Sequence, residues 1–349
     1  MKKYYSIEFL RVWLLFLIIL SHTAMVNYYG SLSAFFGKVL YSMGTHVDIF
    51  LLICGFFLFK SVNKENTSFW PVLKHRMLRL LPALVFCKLC IMIFLNHGLD
   101  YALTNLTMLN ANIGIYVPTI SHIIWFVDAM FWCWIFYAAL FILFDKKKSL
   151  FSTALISFAA LMMLFLGKNV DVHFHTLGFL LIDGGLLRCL SFMGMGILLS
   201  AIPLSISNNS DNKVSKSYAF AAFELLVVVM AFLYPGFVVR DTGMVLNHVL
   251  WAALFVFLAV REYGLVFKFL NKQKWVSYVS KYCYEIYVFQ LFAIIIGQRY
   301  LFPQKAPILT GLAIVVLSFG FGKLFKDYVE PAIFKVLNIK GQSLPDNTK

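Results

Sequence analysis

The sequence predicts an all-α, polytopic membrane protein of about ten transmembrane helices, with both termini in the cytoplasm. Three observations carry that expectation. Of 349 residues, 61% are hydrophobic, 37 are Phe and only 13% are charged, where a water-soluble domain carries about a quarter charged residues. Apolar stretches of spanning length recur along the chain, and a helix of ~20 such residues crosses the hydrocarbon layer. The basic residues concentrate on alternate breaks between those stretches, as the positive-inside rule requires.

The first stretch, 9–27, follows Lys2 and Lys3. It is too long for the apolar core of a cleaved leader, and no small-x-small site follows His22, so it reads as an uncleaved first helix. The next stretches are 41–60, 79–95 and 122–144, then 150–167, 180–200 and 218–234, and finally 244–260, 278–297 and 308–326. Polar or Gly/Pro-containing breaks separate them. The break 96–121 has no Lys or Arg and reads as outward-facing. Placing the N-terminus and every second break in the cytoplasm puts 22 Lys and Arg there and 5 opposite. No internal repeat is visible, so 1–334 is read as one transmembrane domain, with 335–349 as a polar cytoplasmic tail that frays.

A formal charge of +14 would point to nucleic acid in a soluble protein. Here the basic residues report orientation, and no nucleic-acid partner is expected. The six Cys lie inside apolar stretches, so no disulfide framework is expected. Cys87 and Cys90 form a C-x-x-C without a second pair or a His partner, and read as small helix-packing residues. Asp171, His173 and His175 offer three metal ligands without a fourth, and no metal is expected.

Ionisable groups within the apolar stretches mark function, because each costs at least ~2.5 kcal/mol to insert. They are Glu8, Arg11 and His22 in the first stretch, Asp48 in the second, Lys88 in the third and Asp128 in the fourth. Asp183 and Arg188 in the sixth and Glu285 in the ninth complete the set. Arg11 and His22 stand eleven residues apart, ~16 Å along the axis and within ~20° of whole turns, so they share one face. Alternating helix direction sorts the groups into an outer layer (His22, Asp48, Asp128, Asp183, Arg188) and an inner layer (Glu8, Arg11, Arg76, Arg79, Glu285). Two polar layers suggest a route through the bundle. The plainer alternative is that Asp183, Arg188 and Lys88 are paired contacts between helices, with Lys88 alternatively a snorkelling stem. Arg76 and Arg79, one helical turn apart, suit a phosphate group; simple anchoring at the cytoplasmic face also accounts for them.

The chain resembles the acyltransferase-3 family of membrane enzymes. Glu8-Phe-Leu-Arg11, ten residues and then His22 match the family's R-x10-H. Val47-Asp48-Ile49-Phe50 through Gly55-Phe56 is similar to V-D-x-F-F-x-x-S-G-F, with Leu51 for the second Phe and Cys54 for Ser. Arg76-x-x-Arg79-x-x-Pro82 resembles R-x-x-R-x-x-P, and Trp125-Phe126 resembles L-W-F-L. Arg188 with Gly194 and Gly196 resembles the family's sixth helix. Ser280-Lys-Tyr-Cys-Tyr284-Glu-Ile-Tyr287 resembles S-x-x-S-Y-x-I-Y-L, with Gln290 near the place where the family often has His.

The resemblance implies transfer of an acyl group, most often acetyl, from cytoplasmic acyl-CoA to a sugar, a cell-surface glycan or a lipid-linked precursor, in a bacterial plasma (inner) membrane. It implies essential roles for His22 and Arg11 and a CoA-side role for Arg76 and Arg79. Acetyl-CoA is then a donor substrate, and no cofactor is held. His22 serves as general base or takes the acyl group covalently. Asp48 or Asp128 orients its ring. Glu8, Trp125, Arg188 and Glu285 support the site. The break 96–121, with Asn105, Asn110, Asn112 and Tyr116, is either an acceptor surface or a solvated loop. The rival classes are a glycan or lipid-precursor transporter or flippase, and a receptor that only binds. The transporter reading is weakened by the lack of related halves and of paired broken helices.

Overall fold

The computed structural model describes residues 4–25, 46–63, 69–95, 121–166, 184–202, 218–237, 242–262, 264–301 and 307–337, and regular structure among them is helical throughout. In chain order the helices are α1 Tyr5–Met25, α2 His46–Val62, α3 Phe69–Leu95, α4 Ser121–Leu143, α5 Lys146–Leu166, α6 Gly184–Ala201, α7 Tyr218–Phe237 and α8 Thr242–Arg261. Two short helices, α9 Leu265–Leu270 and α10 Val276–Ser280, precede α11 Cys283–Tyr300. The last, α12 Pro307–Leu324, passes through a π-turn at Phe325–Val329 into α13 Glu330–Val336. Among the described residues, six helices are long and apolar enough to cross a membrane, and three shorter apolar helices lie at 218–234, 245–261 and 283–297. With the 17-residue α2 they make ten, one at each apolar stretch. The protein is an all-α, polytopic membrane protein.

Helix α5 shows why the surrounding medium is not water. It buries Ser149, Thr153, Ser157, Ala160 and Leu164 and exposes Phe151, Leu155, Phe158, Met162 and Phe165. That is the reverse of a soluble amphipathic helix. Small and hydroxylated residues face inward because they allow close approach and hydrogen bonding between helices, while the lipid accepts the aromatic rings. Ser157 Oγ accordingly donates to the Ser191 carbonyl of α6 at 2.6 Å.

The closest approach joins α2 to α6. A Cβ on Gly55 would fall on the Met193 carbonyl, and one on Gly196 would fall on the Leu52 carbonyl. Backbone touches backbone there with no side chain between. The pair runs parallel, since Asp48 meets Arg188 while Gly55 meets Met193. Contacts elsewhere give the alternation expected of consecutive spans. On α3 and α4, Arg76 stacks over Trp134 and Lys88 meets Asp128, so these helices are antiparallel. On α11 and α12, Thr310 reaches the Leu301 carbonyl and Tyr282 reaches Asp327, again antiparallel. Helices α1 and α11 run in parallel, since Arg11 reaches Ser280 and His22 reaches Gln290.

In α7, Pro235 has no N–H for the Ala231 carbonyl that a helix would pair with it. His248 of α8 supplies the missing hydrogen bond at 2.9 Å. His46 of α2 meets the next carbonyl, Phe232, at 2.9 Å.

The structure departs from the sequence expectation in four places. The ninth stretch is not one helix over 278–297. It breaks at Lys281-Tyr282, where the Tyr282 hydroxyl donates to Asp327 at 3.0–3.1 Å and turns the chain between α10 and α11. Helix α3 begins at Phe69 rather than at the basic stretch, so Lys74 to Arg79 sit within it. The break 261–277 contains α9, whose Val266 N–H is capped by Glu224 at 3.0 Å. The helical structure after α12 continues to Val336, past the expected start of the tail. Residues 96–120, 167–183 and 338–349, and with them the Asn-bearing loop, Asp171, His173, His175 and Asp183, lie outside the described residues.

Gly55→Ala is expected to lower stability by about 1–3 kcal/mol, the usual cost of overpacking. It should appear as a lower thermal unfolding midpoint of the detergent-purified protein. Gly320→Ala serves as the control, because a Cβ there meets nothing within 4 Å.

Candidate active site

A cavity of about 660 Å³ opens among α1, α2, α3, α4 and α11. It lies at the basic end of the bundle, since Tyr4 at the start of α1, Ser61 at the end of α2 and Pro71 at the start of α3 all line it. Arg11, Arg76 and Arg79 converge on it, with Glu8 the single carboxylate among the described residues of its wall. Alternating helix direction brings them together: α1 and α3 both begin at this end, and Arg76 and Arg79 lie one turn apart on the same face.

The three arginines are loosely held. Arg11 Nη1 reaches Glu8 and Ser280 Oγ, each at a long 3.4 Å. Arg76 stacks its guanidinium over Trp134 at 5.5 Å from the ring centre, a contact that leaves its N–H fork available. No ion pair ties Arg79 or Arg76 to any described residue. Three guanidiniums with one carboxylate is an uncompensated positive charge, and a planar fork suits phosphate oxygens two at a time.

The deeper charges are in the opposite condition. Arg188 of α6 binds Asp48 of α2 through two hydrogen bonds, at 2.9 and 2.6 Å. Its guanidinium also lies 5.1 Å from the centre of the Trp125 ring. Lys88 of α3 meets both oxygens of Asp128 of α4, at 3.1 and 3.2 Å, with both side chains buried. Lys88 is therefore an interhelical partner and not a snorkelling stem. At the level of the arginines, Glu285 of α11 meets Lys326 at 3.0 Å, and Lys326 also meets Glu330 at 2.7 Å.

His22 is buried, and its Nδ1 lies 3.2 Å from Gln290 Oε1. Asp48 and Asp128, expected to compete for this ring, instead face Arg188 and Lys88 in the contacts described. The reason is Coulombic: in a low-dielectric interior a full positive charge outbids a neutral imidazole for a carboxylate. The structure thus gathers Glu8, Arg11, Arg76 and Arg79 around one cavity. It sets Asp48, Arg188 and Trp125 in a second group, Asp128 with Lys88 in a third, and Glu285 beside Lys326. His22 stands with Gln290. The cavity's deep wall includes Tyr287, three residues or ~4.5 Å of helix rise below Gln290.

Three of these residues carried no clear sequence signal. Lys326 counted only as a basic residue near a helix end, although its i, i+4 spacing from Glu330 was a usable clue. Cys54 lies in the cavity wall, with its thiol 3.5 Å from the Met130 sulfur. Gln290 was visible only as a departure from the family pattern. All six cysteines are free, and Cys87 donates to the Val288 carbonyl at 3.3 Å, in keeping with a packing role. No cluster of metal-binding residues occurs among those described.

With the cavity and its arginines in place, the family can be assigned. The model of the acyltransferase-3 family, described as an acyltransferase domain, matches residues 4–325. The chain belongs to the acyltransferase-3 family. No match was found among curated proteins or among solved structures. The match runs from the first helix into the last span, so every group described above falls within the acyltransferase domain or at its margin. The protein is a multi-pass membrane acyltransferase.

Removing one partner of a buried ion pair leaves the other charge uncompensated, at a cost of about 3–5 kcal/mol. Lys88→Met alone is therefore expected to depress the yield of folded protein and its unfolding midpoint. Lys88→Met with Asp128→Leu should recover most of that loss. Equal loss in the double variant, measured by size-exclusion chromatography and thermal unfolding, would show that Asp128 does more than neutralise Lys88.

Proposed function

We propose that this acyltransferase moves an acyl group, most simply acetyl, from cytoplasmic acyl-CoA to a hydroxyl of a sugar, a cell-surface glycan or a lipid-linked precursor at the plasma membrane. The observation that carries the reading is the cavity into which Arg11, Arg76 and Arg79 project with, among the described residues, a single carboxylate in its wall. A pocket of that charge needs an anionic guest. CoA offers several phosphate groups at one end and a long, uncharged arm at the other. Charge-assisted hydrogen bonds from Arg76 and Arg79 hold the phosphates. The arm passes Arg11 and delivers the thioester toward His22, ~16 Å further along the same helix.

At the thioester, His22 takes the proton of the acceptor hydroxyl as general base, or accepts the acyl group itself before passing it on. Either route needs an imidazole that is neutral at the start, and His is the side chain suited to both near neutral pH. The buried pairs Asp48–Arg188 and Lys88–Asp128 hold the surrounding helices in register and keep their own charges away from the reacting atoms. The deep cavity wall, with Phe126, Met130 and Tyr287, is mainly apolar, which limits water at the thioester and disfavours hydrolysis.

Isothermal titration of acetyl-CoA into the purified protein tests the donor site. Each charged hydrogen bond is worth about 1.5–3 kcal/mol, so Arg76→Glu and Arg79→Glu should each weaken binding by roughly ten- to a hundredfold. Raising the salt concentration should weaken wild-type binding as well. His22→Ala should bind acetyl-CoA with nearly wild-type affinity and release no thiol from it. Wild-type affinity in both charge-reversed variants would remove CoA from this cavity and return a transporter to consideration.

A further inference from the structure

We propose that Gln290 sets the proton position of His22, and that the N–H of the same side-chain amide is the donor that meets the acyl oxygen during transfer. The inference rests on the acyl-CoA reading above and adds a residue to it. Gln290 is fully buried and lies on α11, the helix that runs parallel to α1. Its Oε1 stands 3.2 Å from His22 Nδ1. An amide oxygen can only accept a hydrogen bond, so Nδ1 must be the protonated nitrogen, and the basic lone pair of the neutral ring is then at Nε2. That is the division of labour an aspartate provides in a Ser-His-Asp triad. A neutral amide performs it here, while Asp48 and Asp128 are held by cations in the described contacts.

The other end of the amide is the more informative one. Gln290 Nε2 is buried and has no hydrogen-bond partner among the described residues. Leaving a buried amide donor unpaired costs about 1–3 kcal/mol, and of the seven buried side-chain atoms without a partner among the described residues this is the one on the side chain that meets His22. The unpaired donor stands beside the proposed base and about one helical turn above the cavity wall at Tyr287. A substrate acceptor atom completes it. A thioester has one strong acceptor, its carbonyl oxygen, which gathers negative charge as the tetrahedral species forms. A preorganised N–H at that point stabilises the transition state more than the ground state.

The step balances without a further reactant. The acceptor hydroxyl gives its proton to His22 as its oxygen bonds to the acyl carbon. The carbonyl π electrons move onto oxygen and are held by the Gln290 N–H. They return as the carbon–sulfur bond breaks, and the proton leaves His22 with the sulfur as the thiol of CoA.

Two variants separate the two ends of the amide. Gln290→Glu keeps the shape and the accepting oxygen and loses the donor; Gln290→Leu loses both. Solid-state NMR of ¹⁵N-histidine-labelled protein in liposomes reads the His22 ring directly, with its signals assigned by their loss in His22→Asn. The wild type should show a neutral ring protonated at Nδ1. In Gln290→Leu the proton should move to Nε2, and Gln290→Glu should keep it at Nδ1 on a neutral ring, as the aspartate of a Ser-His-Asp triad does before reaction. In parallel, thiol release from acetyl-CoA should fall about a hundredfold in kcat for Gln290→Glu, the usual loss of one oxyanion donor, with KM little changed. A purely structural role for Gln290 would not move the proton between ring nitrogens.

A wild-type ring protonated at Nε2, or one unchanged in Gln290→Leu, overturns the pairing, even if thiol is released normally and the acyl-CoA reading survives. Wild-type kcat in Gln290→Glu overturns the donor role. Expected resonances with no binding of acetyl-CoA to the wild type in the titration would sink the acyl-CoA reading and the donor role together, leaving only the His22–Gln290 pairing.

Discussion

An ionised side chain inside a hydrocarbon layer has to be neutralised where it stands, because no solvent is at hand to share its charge. The charges paired between helices in this chain obey that constraint. Asp48 and Arg188 fasten α2 to α6, Lys88 and Asp128 fasten α3 to α4, and Glu285 and Lys326 fasten α11 to the turn after α12. Each pair joins helices that are distant or opposed in the chain, so neutrality and register are settled by the same contacts. A shift of one residue along any of these helices would rotate a charge by ~100° and strand its partner.

The arginines at the basic end are the counterpart. Among the described residues Arg76 and Arg79 make no ion pair, and both line open space. In a protein that neutralises its interior so consistently, an uncompensated pair is tolerated only where water or an anion can reach it. The contrast between sealed pairs and an open cluster marks the boundary between scaffold and site more clearly than any single distance.

Much of this was legible in the sequence, for reasons of scale. Ten apolar stretches are a coarse signal, and each carries a helix among the described residues, the ninth one broken. The grouping of Glu8, Arg11, Arg76 and Arg79 followed from helix direction alone, since a residue's depth is set by its place along a span. Who touches whom was not legible. Gln290 lies 268 positions from His22, and two aspartates of the right depth looked equally able to serve the imidazole. Only the packed structure shows cations already holding them. The break at Tyr282 was hidden for a similar reason: its cause is Asp327, on another helix. Boundaries also moved where polar ends remained helical, as at Lys74 to Arg79.

The backbone contact of α2 with α6 has a mechanical consequence. Where side chains separate two helices, each can slide or roll by repacking rotamers. At Gly55 and Gly196 there are none to repack, and the two-pronged Asp48–Arg188 bond pins the same helices nearer their other end. The pair is braced at two levels and behaves as a single strut. One wall of the cavity, carrying Cys54 and Phe57 of α2, therefore belongs to that strut, whereas α1, α3 and α11 meet the cavity through long side chains and, for Arg11, through hydrogen bonds of 3.4 Å.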